Sequence, residues 1–158
     1  MQLSLPRATE GTWSFIWKTT LWGWIPELMI WYLVIWIYPG PKVRDVFANP
    51  TSAILLACLF APYIETQGMR LLFYLLGKWT GSAERLKWYV ALIFGALHAD
   101  SESWGLHAIW GFYVLSNGYL EQQQLSTRRA VWTTVAVHSF GNLLSYIGTL
   151  LERALGQV

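Results

Sequence analysis

Four residues in this chain carry the side chains of a hydrolytic centre: Glu65, His98, His138 and Asn142. Each lies in a largely apolar stretch, where a carboxylate, an imidazole or a carboxamide is costly to desolvate without a partner. A carboxylate beside an imidazole suits water activation. The carboxylate takes the proton as general base, and the imidazole shares the proton or holds the water. A second imidazole with an amide donor suits stabilisation of an oxyanion as water attacks a carbonyl. His138 and Asn142 are four apart and share one helix face. Two His and one Glu are also a known zinc ligand set, so a divalent metal stays open. No His-Glu-x-x-His occurs, and no other cofactor is called for.

The carboxylate sits in Ala61-Pro62-Tyr63-Ile64-Glu65-Thr66-Gln67-Gly68-Met69-Arg70, inside an apolar run from Thr51 to Leu76. Pro62 removes a backbone donor three residues before Glu65 and predicts a kink. Arg70 is five residues past Glu65 and diverges from it by about 140° on a regular helix. Thr66, four before Arg70, shares its face instead. Arg70 and Thr66 therefore read as supporting positions. Cys58 reads as a buried inert thiol. Glu27 and His107 read as solvated polar positions near segment ends.

The rest of the chain must position these groups. It has 158 residues, 54% hydrophobic and 13% charged, with 11 Trp and a net charge of +2. That is too apolar for an ordinary soluble domain and too short for two, so residues 1–158 read as one domain with its motif-bearing core at about 53–151. Trp gathers at membrane–water interfaces, which strengthens a membrane reading. No basic cluster with interleaved aromatics occurs, which argues against a nucleic-acid partner. One Cys excludes a disulfide framework.

The apolar segments are Leu21–Tyr38, Thr51–Leu76, Trp88–Ala99, Trp104–Leu120 and Ala130–Leu151. The fold class they predict is all-α: a polytopic membrane helix bundle of about five transmembrane segments, the third short or re-entrant. Pro39-Gly40-Pro41 ends the first segment, Lys42–Pro50 links it onward, and Asp100–Ser103 is an acidic turn. Lys and Arg divide seven against three between the two sides, which predicts a cytoplasmic N-terminus; the expected location is a bacterial or archaeal cell membrane. Lipid is then the expected partner. Glu65, His98, His138 and Asn142 fall between about 9 and 13 residues from the basic loop ends, a common depth of roughly 13–20 Å.

Glu65-Thr66-x-x-x-Arg70, Phe94-x-x-x-His98 and His138-x-x-x-Asn142, in that order, resemble the three motifs of the CAAX-protease and bacteriocin-processing family of intramembrane proteases. The resemblance covers roughly Ala53 to Leu151. It implies a glutamic-type endopeptidase that cuts a peptide or protein substrate near a membrane anchor. By it, Glu65 is the general base, His98 assists the water, and His138 with Asn142 forms the oxyanion pocket. The family pattern has a second Glu where this chain has Thr66, which leaves Arg70 without that partner. Two other readings are a non-enzymatic membrane immunity or interaction protein of the same fold, and a metal-dependent hydrolase using Glu65, His98 and His138.

Overall fold

A computed structural model describes residues 6–7, 9–37, 53–99 and 102–154. Five α-helices occupy these residues: α1 (Thr12–Ile37), α2 (Ala61–Gly77), α3 (Ala83–Leu97), α4 (Glu102–Gln123) and α5 (Thr127–Ala154). A π-helical stretch, Ala53–Phe60, runs directly into α2. The Pro39–Pro41 stop, the Lys42–Pro50 link and Asp100–Ser101 of the acidic turn lie outside the described residues.

The local sequence explains the helix ends. Ser82 caps α3: its backbone is extended, its hydroxyl accepts from the Arg85 amide, and Glu84 sits in the positive first turn. Ser126 does the same for α5, accepting from the Arg129 amide at 3.1 Å. Before α1, Glu10 pairs with Lys18 at 2.6 Å and accepts from Ser14 Oγ, tying the lead-in to the first turns.

Helix α4 packs against α3, α5 and α1, and α5 also packs on α2 and the π-helical stretch. Met69, Phe73, Val90, Ala91, Phe94, Phe112, Leu115, Tyr119, Ala130 and Val137 form the buried core. Helices α3 and α4 approach closely at Gly95, where a Cβ would collide with Ile109. A polar staple reinforces that pair. Lys87 reaches Asn117 Oδ1 at 3.0 Å, and the Tyr113 hydroxyl donates to Glu84 at 2.9 Å.

The expected membrane architecture is corrected by this structure. Among the described residues no helix is both long and apolar enough to cross a membrane. Helices α2 and α3 have 17 and 15 residues, and 15 residues at 1.5 Å rise fall well short of a ~30 Å core. Helix α5 is long, but Arg128, Arg129, Thr133, Thr134, His138 and Asn142 interrupt its apolar surface. Helix α4 carries Ser116, Asn117, Glu121 and Gln122. Lys18, Pro26 and Glu27 interrupt α1. The chain is an all-α bundle, but the polytopic membrane bundle with a re-entrant third segment is not supported. The integral-membrane placement with a cytoplasmic N-terminus falls with it. Counting apolar residues overestimated the spans because much of that content is Trp, Tyr and Ala mixed with polar side chains.

Glu27 also departs from its expected solvated position. It lies partly buried between α1 and α4, its carboxylate against Gly111, where a Cβ would meet it. The His107 ring hydrogen-bonds the Glu27 backbone, and Trp22 stacks on Trp110 beside them at 5.6 Å. Desolvation pushes the Glu27 carboxyl up to about 8 from 4.5. Because the folded pKa is the higher one, its protonated form favours the fold. Stability from this group is full below 4.5 and declines as pH rises to about 8. Glu27→Gln keeps the shape without the titration. It should raise stability at pH 7 by an amount on the order of 3 kcal/mol, with little gain at pH 4. Thermal unfolding across pH 4–9 reads this directly; equal gains at both ends would refute the account.

Candidate functional site

Glu65 lies one helical turn into α2, with its side chain directed at two imidazoles. Its Oε1 is 3.5 Å from His98 Nε2, and its Oε2 is 3.4 Å from His138 Nε2. Three elements thus deliver one carboxylate and two rings to one point: α2, the end of α3 and the middle of α5.

The two imidazoles are held differently. His98 follows the last residue of α3. Its Nδ1 lies 2.8 Å from the Phe94 carbonyl, which also accepts its backbone amide. A carbonyl only accepts, so Nδ1 carries a proton and Nε2 is the atom that faces Glu65. A lone pair there would face a carboxylate, so a proton lies between them. The Glu65 hydrogen bond raises the His98 pKa above 6.5 against the opposing effect of desolvation. The carbonyl end of α3 favours the same cation. His98 and Glu65 therefore share a proton between Nε2 and Oε1.

His138 is the more buried ring, with a side chain 13% exposed against 35% for His98. Desolvation lowers its pKa, so it is neutral. Its Nδ1 is buried with no hydrogen-bond partner. The contact with Glu65 then places its single proton on Nε2. One carboxylate thus sits between an accessible imidazole whose pKa is raised and a buried one whose pKa is lowered. Phe112 lies against both rings, 5.4 Å from His98 and 5.6 Å edge-on to His138, and stacks on Phe94 at 4.1 Å. This apolar wall limits ring rotation and keeps the pair dry on one side.

Asn142 stands one turn past His138 but is otherwise engaged. Its Nδ2 donates to the Ala57 carbonyl at 2.6 Å. The reason lies in the backbone. In a π-helical register the Ala57 carbonyl would accept from residue 62, and residue 62 is proline, which has no N–H. Asn142 fills the acceptor that Pro62 leaves open, and so pins α5 to the stretch that leads into Glu65. The expected Pro62 kink takes the form of this change from π to α winding at Phe60–Ala61.

Thr66 is fully buried, and its hydroxyl has no hydrogen-bond partner among the described residues. Arg70 is exposed on α2. Cys58 is buried, and burial raises its thiol pKa, as suits an inert thiol. His107 serves the α1–α4 contact and lies outside the pair of imidazoles around Glu65. Among the described residues no group of three His, Cys, Asp or Glu side chains is placed to hold a metal ion.

Sequence reasoning missed the Ala57 carbonyl and Phe112. The Phe94 carbonyl was within its reach, since Phe94 and His98 are four apart on one helix. Phe112 carried no signal, being one aromatic among many. Compared with known proteins, the chain matches no protein family, no curated protein and no solved structure.

The Asn142 contact makes a distinguishing prediction. Asn142→Ala should cost about 1–3 kcal/mol, the penalty of an unpaired carbonyl. Asn142→Asp should cost more at pH 7, because a carboxylate would face the Ala57 oxygen. Denaturant unfolding of the two variants measures the order; an Asp variant as stable as the parent would overturn the assignment.

Proposed function

We propose that the chain is a glutamic-type peptidase that hydrolyses a peptide bond with water activated at Glu65. The observation that carries this reading is the seating of both Glu65 oxygens against imidazole Nε2 atoms, at 3.5 and 3.4 Å. The ordered resemblance of its three motifs to the CAAX-protease and bacteriocin-processing family supports the same chemistry.

The steps follow from the proton positions. A water beside Glu65 gives a proton to the carboxylate as its oxygen bonds to the carbonyl carbon. The oxygen of the tetrahedral intermediate takes a hydrogen bond from His138 Nε2–H. Collapse breaks the C–N bond, and the leaving amine takes the proton held between Glu65 and His98. At 3.5 and 3.4 Å the contacts are at the long limit of a hydrogen bond and can shorten on a bound substrate. Asn142 acts as a positioning residue through Ala57.

The surface bears on the substrate. Trp13, Trp36 and Trp79 are each at least 80% exposed, and leucine, isoleucine and tyrosine side chains of α1 and α2 are exposed as well. Exposed apolar surface on this scale favours apolar partners. It supports a peptide or protein substrate carrying a lipid-embedded anchor, with lipid itself as a partner.

Glu65→Gln, His98→Ala and His138→Ala should each abolish cleavage of a co-expressed anchored substrate while the protein still accumulates. Full processing by Glu65→Gln would end the glutamic reading. A cellular role that survives that variant would favour a non-enzymatic interaction protein. In the parent enzyme, activity should fall as pH rises through the His98 pKa, at a point above 6.5, because the imidazolium is then lost. A pH–rate profile with no alkaline decline tied to His98 would remove its role as proton carrier.

A further inference from the structure

Where the first turns of α1 and α5 meet, the surface holds an open depression of about 360 Å³, lined by Thr12, Ile16, Arg128, Arg129, Trp132 and Thr133. It lies apart from the carboxylate–imidazole centre. Arg129 precedes His138 by nine residues, roughly 14 Å along the axis of α5. The chemistry proposed above uses none of the lining residues.

Arg129 is held from three sides. Its amide donates to Ser126 Oγ at 3.1 Å, its carbonyl accepts from Thr133 Oγ1 at 2.6 Å, and its Nε donates to Gln122 Oε1 at 2.7 Å. Gln122 and Thr133 are themselves buried. All three partners are neutral, so they fix the guanidinium without cancelling its charge. The side chain spends one of its five N–H groups on Gln122 and keeps four. Arg128, beside it, is exposed. Among the described residues neither arginine is paired with a carboxylate. Glu10, close to Thr12 in sequence, is taken by Lys18 at 2.6 Å. Both arginines also oppose the field of their own helix, whose start is its positive end. Helix α3 sets Glu84 beside Arg85 in its first turn, whereas α5 has no acidic residue there. A fixed, uncompensated positive pair at an open depression fits a bound anion.

The rest of the lining selects the kind of anion. Trp132 is exposed and lines the depression with Ile16, and Trp13, next to Thr12, is 80% exposed. Trp132 also meets Tyr63 of α2, with ring centres 6.0 Å apart. A small inorganic anion gains nothing from these rings. A phosphate ester with an apolar body gains on both counts. Its oxygens take paired bonds from a guanidinium, and its apolar part covers indole rings, which favour the boundary between headgroup and acyl chain. We propose that the depression between α1 and α5 binds the phosphodiester headgroup of an anionic phospholipid, with Arg128 and Arg129 on the phosphate and Trp132 against the acyl-proximal part. This is contact with a lipid surface and needs no helix that crosses it. The site does not rest on the peptidase reading.

Thermal unfolding of the full chain tests the site, with short-chain phosphatidylglycerol, glycerol phosphate and inorganic phosphate as probes. Phosphatidylglycerol should raise Tm in a saturable way, and added salt should weaken its effect. Inorganic phosphate as effective as the lipid would overturn the lipid assignment. Arg128→Glu should raise the Tm of the unliganded protein, because a carboxylate suits a helix start. The same change should weaken lipid binding by about tenfold or more. Arg129→Lys keeps the charge but loses the planar fork, and should also weaken binding. Arg85→Glu is the matched control, an equal charge change in the first turn of α3 and outside the depression; it should bind as the parent does. Equal losses in Arg85→Glu and Arg128→Glu would show attraction by net charge alone and overturn the site. Vesicle flotation gives the second measurement. The parent should float with vesicles of equal parts phosphatidylcholine and phosphatidylglycerol and stay behind with phosphatidylcholine alone, whereas Arg128→Glu should stay behind with both. An acidic peptide that binds Arg128 and Arg129 more tightly than phosphatidylglycerol would identify a protein partner instead and overturn the proposal.

Discussion

One carboxylate held between two imidazole Nε2 atoms imposes a proton count, and most of the site follows from that count. The Phe94 carbonyl fixes a proton on His98 Nδ1, so the Glu65–His98 contact is attractive only with another proton between them. His98 sits at the carbonyl end of α3, which favours that proton, and its pKa is raised. His138 lies deeper, where a positive charge is expensive to desolvate, and its pKa is lowered. The two rings differ because their depths differ.

The count holds only if the helices hold their register, and a proline secures it. Pro62 lies three residues before Glu65, and the chain before it winds as a π-helix. Had the backbone stayed α-helical throughout, the residues before Glu65 would be rotated relative to those after it. The change of winding leaves the Ala57 carbonyl without its donor, and Asn142 supplies one from α5. His138 is one turn from Asn142 on that helix. The hydrogen bond that satisfies a backbone defect therefore also sets the distance between His138 and Glu65. A motif that spaces His and Asn four apart is explained by this geometry as well as by an oxyanion pocket.

Much of this was legible in residue types and spacing. Glu65, His98 and His138 could be picked out because each is a polar group in apolar sequence, and the four-residue spacing of His138 and Asn142 put both on one face. What the sequence hid falls into two kinds. The Asn142 contact with the Ala57 carbonyl was hidden because it depends on a backbone winding that no side-chain pattern encodes. The architecture was misjudged because apolar content was read as membrane span. Thr66, Tyr119, Gln122, Thr133 and Thr134 are buried, so polar residues that interrupt the apolar runs of α2, α4 and α5 face inward. An apolar run with an inward polar face packs around a polar-flecked core rather than presenting an apolar surface on all sides.

The same inversion bears on the outside. If hydroxyls and amides occupy the interior, the apolar side chains they displace stand on the surface. Trp13, Trp36 and Trp79 are the extreme cases. In water such a surface is unfavourable by roughly 25 cal/mol for each Å² left uncovered, so apolar partners are drawn to it. The centre itself is partly open: the Glu65 side chain is 22% exposed and that of His98 35%, while Ile64 and Leu97, next to them in sequence, are 65% and 73% exposed. Under the proposed peptidase reading, a peptide reaching the carboxylate passes the exposed Ile64 and Leu97 side chains, which favour an apolar flank.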